Sequence, residues 1–232
     1  MRTRIVKFFK SFTKFEIALY VLSVTAIVVV FCIFDRENYM SLFASLLGET
    51  SLICVAKGSP FGQILMIAFA VLYGIISYSF SYYGEMITYL GMSLPMAVLA
   101  LISWLRHPYK DSGTVQVNHI KKKEVFIMFV IAAVVTVGFF FILRALNTAN
   151  VIPGTLSVTT SFIAVYLTFR RSPFYALAYL ANDLVLIVLW TMATIEDVSY
   201  ASVLICFIVF AINDGYGFVA WLRMSKKQDV QE

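Results

Sequence analysis

Charge is what this sequence has little of. Lys, Arg, Asp and Glu make up 13% of its 232 residues, about half the share found in soluble domains. A disordered chain or a solvated enzyme carries more, so both classes are excluded. Cysteine is scarce as well: Cys32, Cys54 and Cys206 lie far apart, each in an apolar run. That spacing builds neither a disulfide framework nor a metal site, and the three read as buried small hydrophobes. The two histidines, His107 and His119, fall in one polar stretch, so no histidine relay crosses the apolar segments. The sequence holds no phosphate-binding glycine loop, no H-E-x-x-H and no Ser–His pairing within an apolar run. ATP-driven motors and intramembrane hydrolases lose their usual signatures. Nor is there a basic stripe interleaved with aromatics, so the net charge of +5 does not point to nucleic acid.

Apolar residues are what is abundant, at 61% with a mean hydropathy of +0.87. About 20 apolar residues span a bilayer. Eight such segments are predicted, over 17–34, 40–56, 61–81, 86–105, 125–144, 153–169, 174–194 and 199–222. The fold class is therefore an all-α integral membrane protein. Gly48 and Glu49 interrupt the second span, and Pro153-Gly154 opens the sixth as a helix start. Residues 1–15 are basic and read as an interfacial segment. They are not read as a signal peptide, because no small-residue cleavage site closes the apolar run that follows.

The chain divides into a basic segment 1–15, a span 16–36, a first unit 39–106, a polar loop 107–124, a linking span 125–147, a second unit 151–223 and a tail 224–232. Charge orients it. With the N-terminus inside, 16 of the 18 Lys and Arg fall on the cytoplasmic side; Arg36 and Arg144 fall outside with Asp35, Glu37, Glu196 and Asp197. Cytoplasmic loops are enriched in Lys and Arg, so both termini and the 106–124 loop are expected to be cytoplasmic.

The two units repeat. A shift of 117 residues sets Val71-Leu72 on Val188-Leu189, Tyr73 on Trp190, Tyr83 on Tyr200 and Trp104-Leu105-Arg106 on Trp221-Leu222-Arg223. After a four-residue gap, Ser59-Pro60-Phe61 matches Ser172-Pro173-Phe174. Both copies run in the same direction, so one inverting helix, the fifth span, must join them. Parallel repeats of this kind are a transporter design, with substrate held between the copies near the midplane.

Polar residues at membrane depth are costly and mark function. Glu49, Asp183 and Asp214 are the carboxylates to weigh, with Glu85 at a helix start where the dipole favours it. On a helix Asp183 shares a face with Tyr179 and Trp190, Asn213 with Tyr216, and Asp214 with Trp221. An amide beside an aromatic suits a small heteroaromatic ligand. The first unit offers Gln63, Tyr73, Tyr89 and Trp104 opposite. Trp104 and Trp221, near the inner span ends, read as interfacial anchors. Pro95, within span four, is expected to mark a kink.

KGSPFGQILMIAFAVLYGIISYSFSYYGEMITYLGMSLPMAVLALISW (57–104) resembles the first repeat of the PnuC-type vitamin transporters, and SFIAVYLTFRRSPF (161–174) and FAINDGYGFVAW (210–221) resemble the second half. The resemblance covers about residues 40–224. It implies a three-plus-one-plus-three helix core related to the SWEET sugar transporters, here with an extra N-terminal helix. It implies facilitated uptake of nicotinamide riboside, or in relatives of thiamine or riboflavin, without a coupling ion or a cofactor. A separate cytoplasmic kinase traps the vitamin by phosphorylation; the family also implies a bacterial plasma membrane and a homo-oligomer, a trimer. By motif position Asn182, Asp183, Trp190, Asn213 and Tyr216 are the implied substrate residues, with Gln63, Tyr73 and Tyr89 opposite. The chain departs from the family where Arg170-Arg171 runs into Ser172-Pro173-Phe174 without the usual acidic residue and Trp, and where Gln63 replaces an Asn-rich helix start.

Two other readings share this composition. An intramembrane enzyme would need a base and nucleophile, for which Glu49 with Asp183 is the carboxylate candidate. A non-transporting receptor or assembly subunit needs no chemistry. Within the transporter reading, acids and aromatics without Lys or Arg at membrane depth favour an unphosphorylated cationic vitamin: nicotinamide riboside first, thiamine next, neutral riboflavin third.

Overall fold

The computed structural model describes residues 12–34, 36–79, 82–110, 113–148 and 150–231. Most of the basic segment 1–15, and Asp35, lie outside them. Eight helices in the described residues are long and apolar enough to cross a membrane: α1 Lys14–Phe34, α2 Tyr39–Ala56, α3 Pro60–Ser79, α4 Tyr83–Arg106, α5 Lys122–Ala145, α6 Val151–Phe169, α7 Tyr175–Glu196 and α8 Ala201–Asp229. A 3-10 turn over Val198–Tyr200 leads into α8. The helices coincide with the expected spans, except that α8 runs on past 222. Its extra turns dock on the polar loop: Gln228 accepts from Val117 N (2.8 Å) and donates to Val115 O (3.1 Å).

Local chemistry sets the ends. Thr13 and Glu16 form a capping box, each side chain accepting from the other's backbone N–H (3.2 and 2.6 Å). Asn38 caps α2 by accepting from Ser41 N at 3.1 Å. Asp197 accepts from Ser199 N at 2.9 Å, and that bond holds its carboxyl below the usual range. Gly48 does not break α2. A Cβ there would come within 2.5 Å of the Phe210 ring, so the glycine admits α8 close to α2.

Proline acts on α4 one turn early. Pro95 has no N–H, and its ring crowds the carbonyl four residues back. The helix answers with a π-helical stretch, Thr88–Ser93, ending where Leu94 N bonds to Tyr89 O.

The C-termini of α2 and α6 are built alike. Lys57, Gly58 and Ser59 donate to Ile53, Val55 and Cys54 carbonyls (3.2, 2.8 and 3.1 Å). Arg170, Arg171 and Ser172 donate to Tyr166, Thr168 and Leu167 (2.9, 3.0 and 3.0 Å). Both are Schellman caps, with Gly58 at φ 68° and Arg171 at φ 57°. Across them the helices interlock. Trp104 at the end of α4 donates to Thr168 O, and Trp221 in α8 donates to Val55 O, both at 2.9 Å. The two tryptophans are enclosed, with ring centroids 5.3 Å apart. The expectation of interfacial anchors fails because each indole N–H has a buried carbonyl to satisfy. Helix packing follows the same pattern: α2 lies on α3 and α8, and α6 lies on α7 and α4.

The polar loop straps the end where the basic residues gather. Val115 N donates to Gly58 O and Asn118 N to Arg171 O (2.9 and 3.0 Å), so the strap holds both caps. Val115 itself is buried with Trp104, Trp221 and Val55. Outward, α1 and α5 expose apolar side chains such as Leu22, Ile33, Phe126, Val134 and Phe141, while acids and amides are buried, the inversion a bilayer demands. Cys54 and Cys206 are buried as expected, but Cys32 is exposed on α1.

Candidate functional site

A cavity lies at the centre of the bundle, between the α2–α4 and α6–α8 helices. It is lined by Gly48, Leu52, Met66, Phe69, Ala70, Tyr89, Ser93, Ser161, Tyr179, Asn182, Asp183, Phe207, Phe210 and Asp214. With its mouth it takes in about 550 Å³ between atoms, little of it wide enough for water. The part of it open to water, about 40 Å³, is far smaller than a small-molecule site, so its walls must part to admit a ring.

Two chemistries meet there. One wall is aromatic. Phe69 and Tyr89 have centroids 5.9 Å apart, Phe69 and Phe210 5.8 Å, and Phe207 and Phe210 5.8 Å, all edge to face. The π-helical stretch of α4 supplies Tyr89 and Ser93 to this wall. The other wall is polar. Asp183 of α7 and Asp214 of α8 face each other within hydrogen-bonding reach. Two carboxyl groups in such contact resist ionising together. Oδ2 of Asp183 has no partner. Asn182 is fixed by Thr160 and Ser161, whose hydroxyls donate to its Oδ1 at 2.8 and 2.9 Å. Its NH2 is then the donor left to offer. No Lys or Arg lines the cavity.

Of the eight residues read from the sequence, Tyr89, Asn182 and Asp183 line this cavity. Tyr73 and Trp190 are brought together beside it, the indole donating to the phenol oxygen at 3.1 Å. With Tyr82, Tyr200 and Phe207 packed on Trp190, they form an aromatic layer on the acidic side. Gln63 is buried in the first turn of α3 and is not part of the lining. Asn213 and Tyr216 turn the other way, toward α1. Asn213 Nδ2 donates to Ser23 Oγ and Glu49 Oε2 (3.0 and 3.1 Å). The Tyr216 hydroxyl donates to Glu16 Oε1 at 2.6 Å, and Glu16 also pairs with Lys57 at 3.1 Å. These contacts fasten α1 to α2 and α8. Glu49 is thus held by an amide, and Glu85 by Ser157 Oγ at 3.3 Å. Neither lines the cavity.

The cavity also takes residues outside that set: Asp214, Tyr179, Ser161, Ser93 and the phenylalanines. Helical spacing from Asp183 signals Tyr179 (i−4), and the paired Asn-Asp signature signals Asp214. The phenylalanines carry no signal that separates a wall from a core.

Comparison with known proteins places the chain among transporters. The family model described as "Nicotinamide mononucleotide transporter" matches residues 38–223. A protein of Neisseria mucosa named "Nicotinamide riboside transporter PnuC" is 24% identical over 229 residues, 96% of this chain and 86% of that one. A solved structure described as "Crystal structure of the Vitamin B3 transporter PnuC" superposes with a TM-score of 0.82 at 21% identity, covering 94% of each chain, and so shares the fold. With eight apolar helices, a central cavity and a family match from α2 almost to the end of α8, the chain belongs to the nicotinamide mononucleotide transporter family, a family of transporters and not of enzymes.

Proposed function

We propose that the chain takes up nicotinamide riboside across a bacterial plasma membrane, down the substrate's own gradient. The observation that carries this reading is the carboxyl pair Asp183–Asp214 facing an aromatic wall in a cavity without Lys or Arg. With one of its two carboxyls ionised by the arriving cation, the pair bears one negative charge, the complement of one pyridinium. The ring gains about 0.5–2 kcal/mol from aromatic faces, and the Asn182 NH2 suits its carboxamide oxygen. A phosphate in the same place would find no charge-assisted donor and would lose its hydration. The riboside named for the Neisseria relative fits this site better than the mononucleotide of the family description. Thiamine, a second cation, ranks next and neutral riboflavin third.

The equivalent caps and crossed tryptophans support two parallel three-helix repeats, 39–106 and 151–223, with α5 as the inverting link and α1 as the added helix. The basic, strapped end is the cytoplasmic one on this reading, supported by the charge split. A cytoplasmic kinase then traps the vitamin without needing to touch the carrier, and the carrier assembles as a homo-oligomer, a trimer.

Titration calorimetry on the purified protein tests the substrate. The riboside should bind at least ~100-fold more tightly than the mononucleotide, the scale of one charged group left unpaired. Equal affinities would overturn the reading.

A further inference from the structure

Arg171 is not explained by transport. It sits in the turn between α6 and α7, away from the cavity, at φ 57°. Its counterpart in the α2–α3 turn is Gly58, at φ 68°. Glycine takes that conformation freely, whereas a side chain is strained in it. The same arginine is 9% exposed, and its Nε and Nη1 are buried without a hydrogen-bond partner. A buried guanidinium without a counter-charge adds a desolvation cost. Both penalties fall on one residue, where a glycine would close the same cap.

Among the described residues, nothing neutralises it. Its neighbour Arg170 is paired with Glu124 through both Nε and Nη2. Lys121, Lys122 and Lys123 are exposed at the start of α5, and Asn118 ties the strap leading to them onto Arg171 O and Arg170 O, both at 3.0 Å. Burial and then the Arg170 charge push the Arg171 guanidinium below its ordinary range. The backbone is therefore held in place and the charge is left over, with Nε and Nη1 on different edges of the guanidinium, each able to donate a charge-assisted hydrogen bond to an oxyanion.

We propose that the α6–α7 turn is an anion site in which Arg171 receives a phosphate group at the basic end of the bundle. Two sources present that group there: a soluble phosphate ester and the headgroup of an anionic phospholipid. The site is separate from the riboside cavity.

The test uses the full chain and the variant Arg171→Gly, which copies Gly58 and removes backbone strain. Thermal unfolding in detergent is followed against inorganic phosphate, with chloride at matched ionic strength as control. It is repeated in vesicles of phosphatidylcholine with and without phosphatidylglycerol. The wild-type chain should be stabilised by phosphate or by phosphatidylglycerol beyond the control. Arg171→Gly should be at least as stable as wild type without anion, and should lose the response, with apparent affinity at least ~10-fold weaker. A response to phosphate alone names a soluble ester; a response to phosphatidylglycerol alone names the lipid. Riboside affinity should be unchanged in the variant, so a failed substrate reading leaves this test standing. The proposal is overturned if wild type responds to neither anion, if Arg171→Gly responds like wild type, or if it is less stable without anion, since Arg171 would then serve the fold.

Discussion

Asp183 and Asp214 are the residues on which charge recognition turns. Asp183→Asn combined with Asp214→Asn keeps the side chains' size and removes the charge of the pair, whereas either change alone leaves the other carboxyl to carry it. Affinity for the cationic riboside should fall at least ~10-fold, as expected for a lost charge-assisted contact, while a neutral analogue of the same shape should lose little. Unchanged cation affinity in the folded double variant would remove the carboxyl pair from the site. Trp221 makes the matching case for stability. Trp221→Phe leaves Val55 O without its indole donor, which costs about 1–3 kcal/mol when the group is buried. Trp104→Phe should cost a similar amount through Thr168 O, and unfolding temperatures that stay at wild type for both would refute the interlock. Single residues were only partly legible in the sequence. Helical spacing set Asp183 with Tyr179, and both line the cavity. It also set Asn213 with Tyr216, and that face points to α1. Asn213 and Asp214 are adjacent, about 100° apart on the helix, so one faces the cavity and the other does not. Periodicity fixes the angle between them but not which neighbour each one meets.

At the scale of the element, α4 is where a local defect serves the site. The π-helical stretch before Pro95 brings Tyr89 and Ser93 to the cavity wall. Such insertions are frequent at functional sites. Pro95→Ala restores an N–H and should let the stretch return toward α-helical winding. Substrate exchange in proteoliposomes should slow while binding persists; if rate and affinity both stay at wild type, the stretch has no part in transport. The helices themselves were readable because runs of about 20 apolar residues have one stable solution in lipid. The strap was not readable. Its residues look like a solvated connection, and its grip depends on Val115 fitting between two tryptophans and on carbonyls of two distant turns. Those partners lie far away in sequence, so no local pattern announces them.

For the whole molecule, orientation is the first quantity to measure. Cysteines introduced at Gly113 and Asp197, in a chain whose exposed Cys32 is replaced, should react from opposite sides of intact cells, with Asp197 labelled from outside. Labelling of the Gly113 position from outside would invert the topology. The crossed indoles bear on ancestry. Each tryptophan reaches into the other half of the molecule, and the two bonds are equal in length. Reciprocity of this kind belongs to two-fold homodimers, where residue i meets j and j meets i. On the proposed repeat reading, a three-helix ancestor joined in this way would work as a pair, and its shared cavity would have the same groups on both sides. On that reading, fusion through one inverting helix lifts the requirement. The offset that sets Tyr73 against Trp190 now sets Met66 against Asp183 and Ala97 against Asp214. Acid on one side and hydrocarbon on the other is an arrangement that identical subunits cannot make, and it lets a symmetric frame hold a ligand charged at one end only.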